Sequence, residues 1–142
     1  MRAVVPVIVL SVVFAGCGGP ATDTSSTPAT FAEIYAALFP VATNPRCNFC
    51  HSMPASNASN GSLHTGNDQA TAYAALVGKS SASSKCGGKT LVSPGNADQS
   101  LFFQKLSTTP PCGDRMPVGG DSLTDSQLQM VRSWIQNGAK ND

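Results

Sequence analysis

Apolar residues in this chain gather into a few short stripes of helical period, separated by long stretches rich in Gly, Pro, Ser and Asn. The first stripe puts Phe31, Ile34, Tyr35 and Leu38 on one helix face, with Thr30 and Glu33 at its start as a capping box and Pro40 as its stop. A second helix is predicted from Asp68, a good N-cap, through Ala72, Tyr73, Leu76 and Val77 to Gly78. Pro94-Gly95-Asn96 sets a turn and cap for a third, carrying Leu101, Phe102 and Leu106 and ended by Pro110 and Pro111. The last is the clearest. Thr124 and Gln127 form a second capping box, Leu128, Val131, Trp134 and Ile135 share one face, and Gly138 lies just past the end. No segment alternates convincingly as a strand does, so the expectation is an all-α domain of about four short helices with long Gly/Pro-rich loops. Loops of more than about 12 residues are uncommon in a compact domain without a functional reason, and a large central ligand supplies one.

Ahead of these helices, Arg2 precedes an apolar run over residues 3–15, too short to span a bilayer as a mature helix and placed where a signal peptide belongs. The run ends in Phe14-Ala15-Gly16-Cys17, which resembles the bacterial lipoprotein box, in which small residues precede a Cys that is lipidated and becomes the mature N-terminus. Cys17 is therefore expected to carry lipid. Residues 18–29 are small and polar with two prolines and read as a flexible tether. The predicted organisation is a signal peptide over 1–16, a lipidated Cys and tether over 17–29, and one domain over 30–142. Export to the periplasmic side follows. Gly18 stands where the lipoprotein resemblance associates Asp with inner-membrane retention, which favours the outer membrane over the inner.

Composition narrows the choice further. A domain of roughly 110 residues with 6% aromatic residues, 13 Gly and 10 Pro in the chain can bury only a limited apolar area. A bound cofactor would fill such a core. Once Arg2 is removed, eight basic residues face eight acidic ones. No basic stripe is present, and nucleic acid is excluded as a partner.

The chemistry concentrates in Cys47-Asn48-Phe49-Cys50-His51. Two thiols separated by two residues can form thioethers to both vinyl groups of a haem while the next residue, His51, turns its imidazole onto the iron. A thioredoxin-like redox pair would need a βαβ context that this chain does not offer. A zinc site from Cys47, Cys50 and His64 would lack a fourth ligand. A plain Cys47–Cys50 disulfide would leave His51 unexplained.

From these residues the chain resembles class I cytochrome c domains, in which a C-x-x-C-H motif follows an N-terminal helix and a distal Met lies far downstream before a C-terminal helix. The likeness covers residues 30–139. It is greatest to lipoprotein cytochrome c domains of double-membrane bacteria, whose later landmarks correspond here to Pro94-Gly95, Ser100-Leu101, Arg115-Met116-Pro117 and Trp134-Ile135 with Gly138-Ala139. The resemblance implies a cytochrome c-like fold packed around one covalent haem c. It also makes Met116 the candidate second axial ligand, in a Gly/Pro-rich loop stiffened by Pro117. Met53 is too near His51 to reach the opposite face, Met130 falls near the core face of the last helix, and Met1 is removed. His64 remains the competitor, giving a bis-His haem of lower potential, and an open or water-bound position is the third option.

Two cysteines are left over, Cys86 and Cys112. In an exported protein they are expected to pair, closing a loop worth on the order of 3.5 kcal/mol in the chain-entropy model. Trp134 and Phe102 read as packing residues. Arg46 and Arg115 could pair with haem propionates but are left as solvated surface charges. The expected function is single-electron transfer between redox protein partners from a lipid-anchored position, with no substrate bond made or broken. Three alternatives stay open: a haem enzyme with an open sixth site, a gas or redox sensor with a displaceable Met116, and a non-haem, disulfide-stapled surface lipoprotein.

Overall fold

The structure is a computed structural model that describes residues 27–52 and 62–142. Cys17, the expected signal segment and Met53 lie outside the described residues. Among the described residues the chain is all-α, with five α-helices and no strand. These are α1 (Phe31–Leu38), α2 (Asn48–His51), α3 (Gln69–Leu76), α4 (Leu101–Leu106) and α5 (Asp125–Gln136), with a 3-10 turn at Ala97–Gln99. No described helix is long and apolar enough to cross a membrane.

Helix α1 starts where its capping box predicts. Thr30 Oγ1 accepts the Glu33 N–H at 3.2 Å and Glu33 Oε2 accepts the Thr30 N–H at 2.9 Å. Phe31, Ile34 and Leu38 turn inward and are fully buried. Helix α5 repeats the device with Thr124 and Gln127 and buries Val131, Trp134 and Ile135. The two helices meet through Phe31, whose ring centroid lies 5.0 Å from Trp134, with Tyr73 of α3 at 5.3 Å and Phe39 at 6.3 Å. The far end of the chain closes on the same point. Asp142 accepts the Phe31 N–H through its side chain and the Ala32 N–H through its backbone, both at 2.9 Å.

Asp68 caps α3 through the Thr71 N–H at 2.9 Å. The helix stops one residue earlier than the apolar pattern suggests, because Val77 is extended and forms an isolated parallel bridge with Val92. A second bridge joins Ser80 and Thr90. The predicted third helix is divided. Asn96 caps only the 3-10 turn, and Ser100 is extended before α4 begins. The reason is local competition for backbone groups: Ser100 Oγ donates to the Asn96 carbonyl at 2.8 Å and accepts the Ser93 N–H at 2.9 Å. A further difference from the expected four helices is α2, a single turn formed by residues of the C-x-x-C-H run, which the sequence pattern left in a loop.

Candidate functional site

Helix α2 hangs from the end of α1. The last carbonyls of an α-helix have no partner within it, and here those of Leu38 and Phe39 accept the N–H groups of Cys47 at 3.0 Å and Asn48 at 2.9 Å. The short turn is then fixed from inside by a polar pair. Asn48, only 4% exposed, donates from Nδ2 to Tyr35 Oη at 3.3 Å, and its Oδ1 lies 3.2 Å from the hydroxyl of Thr65. Thr65, 1% exposed, also places that hydroxyl 3.1 Å from the His51 carbonyl and donates its N–H to the same carbonyl at 2.7 Å. Sequence reasoning missed both residues. Asn48 is one of the two unspecified positions of the motif, and Thr65 sits in a Ser/Gly-rich stretch that reads as solvated.

This frame presents Cys47, Cys50 and His51 to a cleft of about 540 Å³, within the roughly 300–1,000 Å³ usual for small-molecule and cofactor sites. Both thiols are free and half-buried. Burial pushes the Cys47 thiol up to about 12, with the neighbouring Cys50 adding to the rise. The Nδ1 of His51 lies 3.2 Å from the Leu63 carbonyl. A carbonyl can only accept, so this contact selects the tautomer that carries its proton on Nδ1.

The segment between α4 and α5 also lines this cleft, with Met116, Pro117, Val118, Gly119 and Gly120. Met116 is half-buried, donates its N–H to the Lys105 carbonyl at 2.8 Å, and is joined to Pro117 by a cis peptide. Cys47, His51, Leu106 and Met116 also line a smaller adjoining cavity of about 120 Å³, walled by Phe39, Leu76, Leu91, Leu101 and Phe102. Phe102 thus packs beside the site, whereas Trp134 is purely a core residue at 1% exposure.

Cys86 and Cys112 are disulfide-bonded, with Cα atoms 5.6 Å apart, joining the Lys/Ser/Gly loop to the Met116 segment. His64 is exposed and lines a separate pocket of about 190 Å³ with Leu63, Ala75 and Leu91. Among the described residues no three or more His, Cys, Asp or Glu side chains gather as a metal cage, so Cys47, Cys50 and His64 are not brought together as zinc ligands. Met130 packs against the core from α5.

The two arginines differ. Arg46 lines the cleft and lays its guanidinium 4.6 Å over the Phe49 ring. Arg115 donates from Nη2 to the Gly120 carbonyl at 2.9 Å, but its Nη1 is buried with no acceptor. A buried guanidinium N–H without a partner is costly, so Arg115 is not the solvated surface charge expected from the sequence, although it is not among the residues that line the cleft. Two free thiols, an imidazole and a thioether that line one cleft are the donor types that could hold a c-type haem. Compared with family models, curated proteins and solved structures, the chain has no match.

Proposed function

We propose that this chain is a c-type cytochrome of class I-like fold, exported and lipid-anchored through Cys17, that passes single electrons between redox proteins. One observation carries the reading: the thiols and imidazole of a single C-x-x-C-H run and a distant methionine line one cleft. Bound haem c supplies an iron centre that takes up and gives back one electron. Cys47 and Cys50 are the residues to hold it covalently, and His51 and Met116 the residues to ligate it. The Leu63 carbonyl keeps the His51 ring oriented. The thioether of Met116 favours the ferrous state and a higher potential than a second imidazole would. Leu101, Phe102 and Leu106 supply apolar surface on the inner side of the site.

The cleft opens beside Phe49 and Val118, which are 62% and 67% exposed, and this apolar rim is where a redox partner would approach. The test is a redox titration of the purified protein from a host with c-type maturation machinery. A reversible one-electron change in the visible spectrum is expected. A colourless protein would overturn the proposal and favour the disulfide-stapled lipoprotein. Tight binding of added ligands to the untreated ferric protein would favour the enzyme or sensor alternative.

A further inference from the structure

The segment that carries Met116 has no regular structure, yet one residue ties it down along its length, through both its side chain and its backbone. Lys105 stands in the last turn of α4. Its Nζ donates to the Cys112 carbonyl at 2.7 Å and to the Asp114 carbonyl at 2.8 Å, and its own carbonyl accepts the Met116 N–H at 2.8 Å. Residues 112, 114 and 116 are thus held in turn by one residue. Gly113 sits between the two carbonyls at φ +56°, where a Cβ would come within 2.9 Å of Nζ. The strap is closed around the ammonium.

Neighbouring groups serve the same arrangement. The Asp114 carboxylate turns outward to Lys85 at 3.4 Å, leaving its backbone carbonyl to Lys105. Cys112 is anchored through its disulfide to Cys86. Hydrogen bonds from a charged donor are roughly twice as strong as neutral ones, and Lys105 spends two of them on backbone carbonyls, while its side chain lines the inner cavity with Met116, His51 and Cys47. A surface loop that needed only tethering already has the disulfide.

We propose that Lys105 is a positioning residue for Met116, its ammonium drawing the Cys112 and Asp114 carbonyls inward so that the thioether is held in the cleft. The disulfide fixes where the strap begins, and Lys105 fixes where the sulfur arrives. This inference rests on the cytochrome reading and on Met116 as its second axial ligand. Without the ammonium the strap relaxes, the sulfur is held less firmly, and an added ligand competes more easily.

The test uses full-length, haem-loaded protein and its Lys105→Met and Lys105→Arg variants, read by reduction potential and by imidazole binding to the ferric form, with thermal midpoints measured alongside. Lys105→Met should bind imidazole about tenfold more tightly than the parent, as outer-sphere losses commonly cost a metal ligand, and should have a lower potential. Lys105→Arg, which keeps charge and donors, should lie between the two. Gly113→Ala, which drives a methyl against the ammonium, gives a second displacement and should move imidazole binding in the same direction even if Lys105→Met does not fold. Unchanged imidazole affinity and potential in Lys105→Met, or in Gly113→Ala should Lys105→Met not fold, would overturn the inference. An Arg variant as loose as the Met variant would assign the effect to packing and overturn it equally. Failure of the underlying reading looks different: a parent protein with no covalent haem, or a spectrum untouched by Met116→Ala, overturns both.

Discussion

The part of the molecule built from α1, α3 and α5 and the part around the cleft are held together by different means. In the first, helices with side-chain caps bury Phe31, Ile34, Leu76, Val131 and Trp134 against one another around an aromatic centre. In the second, one turn of helix and an irregular strap are held by hydrogen bonds to carbonyls, by one disulfide and by one lysine, around open volumes of about 540 and 120 Å³. Protein interiors are ordinarily packed with few voids larger than a water molecule. The contrast teaches a division of labour: the capped helices give the fold its free energy, and the cleft side spends its residues on aiming chemical groups at a space. The two are joined at the C-terminus of α1, where the carbonyls of Leu38 and Phe39 hold Cys47 and Asn48.

The largest effect comes from breaking the packed side. Phe31→Ala removes the ring that touches Trp134, Tyr73 and Phe39, and should cost about 3–5 kcal/mol. Because α2 hangs from α1, Trp134 emission and helical circular dichroism should still change together in urea; separate transitions would show the two parts to be independent. Next is the strap. Cys86→Ser with Cys112→Ser should lower unfolding free energy by about 3.5 kcal/mol in the chain-entropy model and speed proteolysis within residues 107–123 of the folded protein. Equal cleavage with and without the disulfide would remove it from the account of the cleft.

A smaller loss is expected from Thr65→Val, which leaves Asn48 Oδ1 buried without its hydroxyl donor and should cost about 1–3 kcal/mol in urea titration. An unchanged midpoint would mean that the polar pair does not fix α2. The smallest effect separates helix capping from the site. Thr71 donates both its hydroxyl and its N–H to Asp68, and this holds the Asp68 carboxyl below its ordinary value. A carboxyl lowered in the folded state adds stability that is present above the unfolded value, about pH 4, and is lost as pH falls through the lowered one. Asp68→Asn keeps a cap and removes the titration, so its thermal midpoint should fall less steeply on acidification below about pH 4. Parallel acid limbs for parent and variant would contradict this.

How much of the structure could be read from the residues follows the same division. Both capping boxes, the Asp68 cap and the buried faces of α1 and α5 are local patterns, and each stands where it was expected. The Cys86–Cys112 pair was legible by counting the thiols left over once the other cysteines were assigned. The α2 turn was not, because its first N–H groups are satisfied by carbonyls of α1 rather than by a cap of its own. Ser100 breaks the predicted third helix through hydroxyl bonds that its neighbours in sequence do not announce. Thr65 and Lys105 act on backbone groups many residues away or across a loop, and in the sequence they look like ordinary solvated side chains. Polar residues that fix a turn or a loop leave no period, which is why the C-x-x-C-H run stands out in the sequence while Thr65 and Lys105, which hold its turn and the Met116 segment, do not.

The central claim is that Cys47 and Cys50 carry one haem by covalent bonds. Its most direct test is acid-organic extraction of the protein purified from a host with c-type maturation machinery, followed by intact mass measurement of the polypeptide. The account expects the colour to stay with the chain, with an added mass of a single haem, and to be lost from the Cys47→Ser, Cys50→Ser double variant. Colour that passes entirely into the organic phase, or a polypeptide mass with nothing added at these two positions, would contradict it.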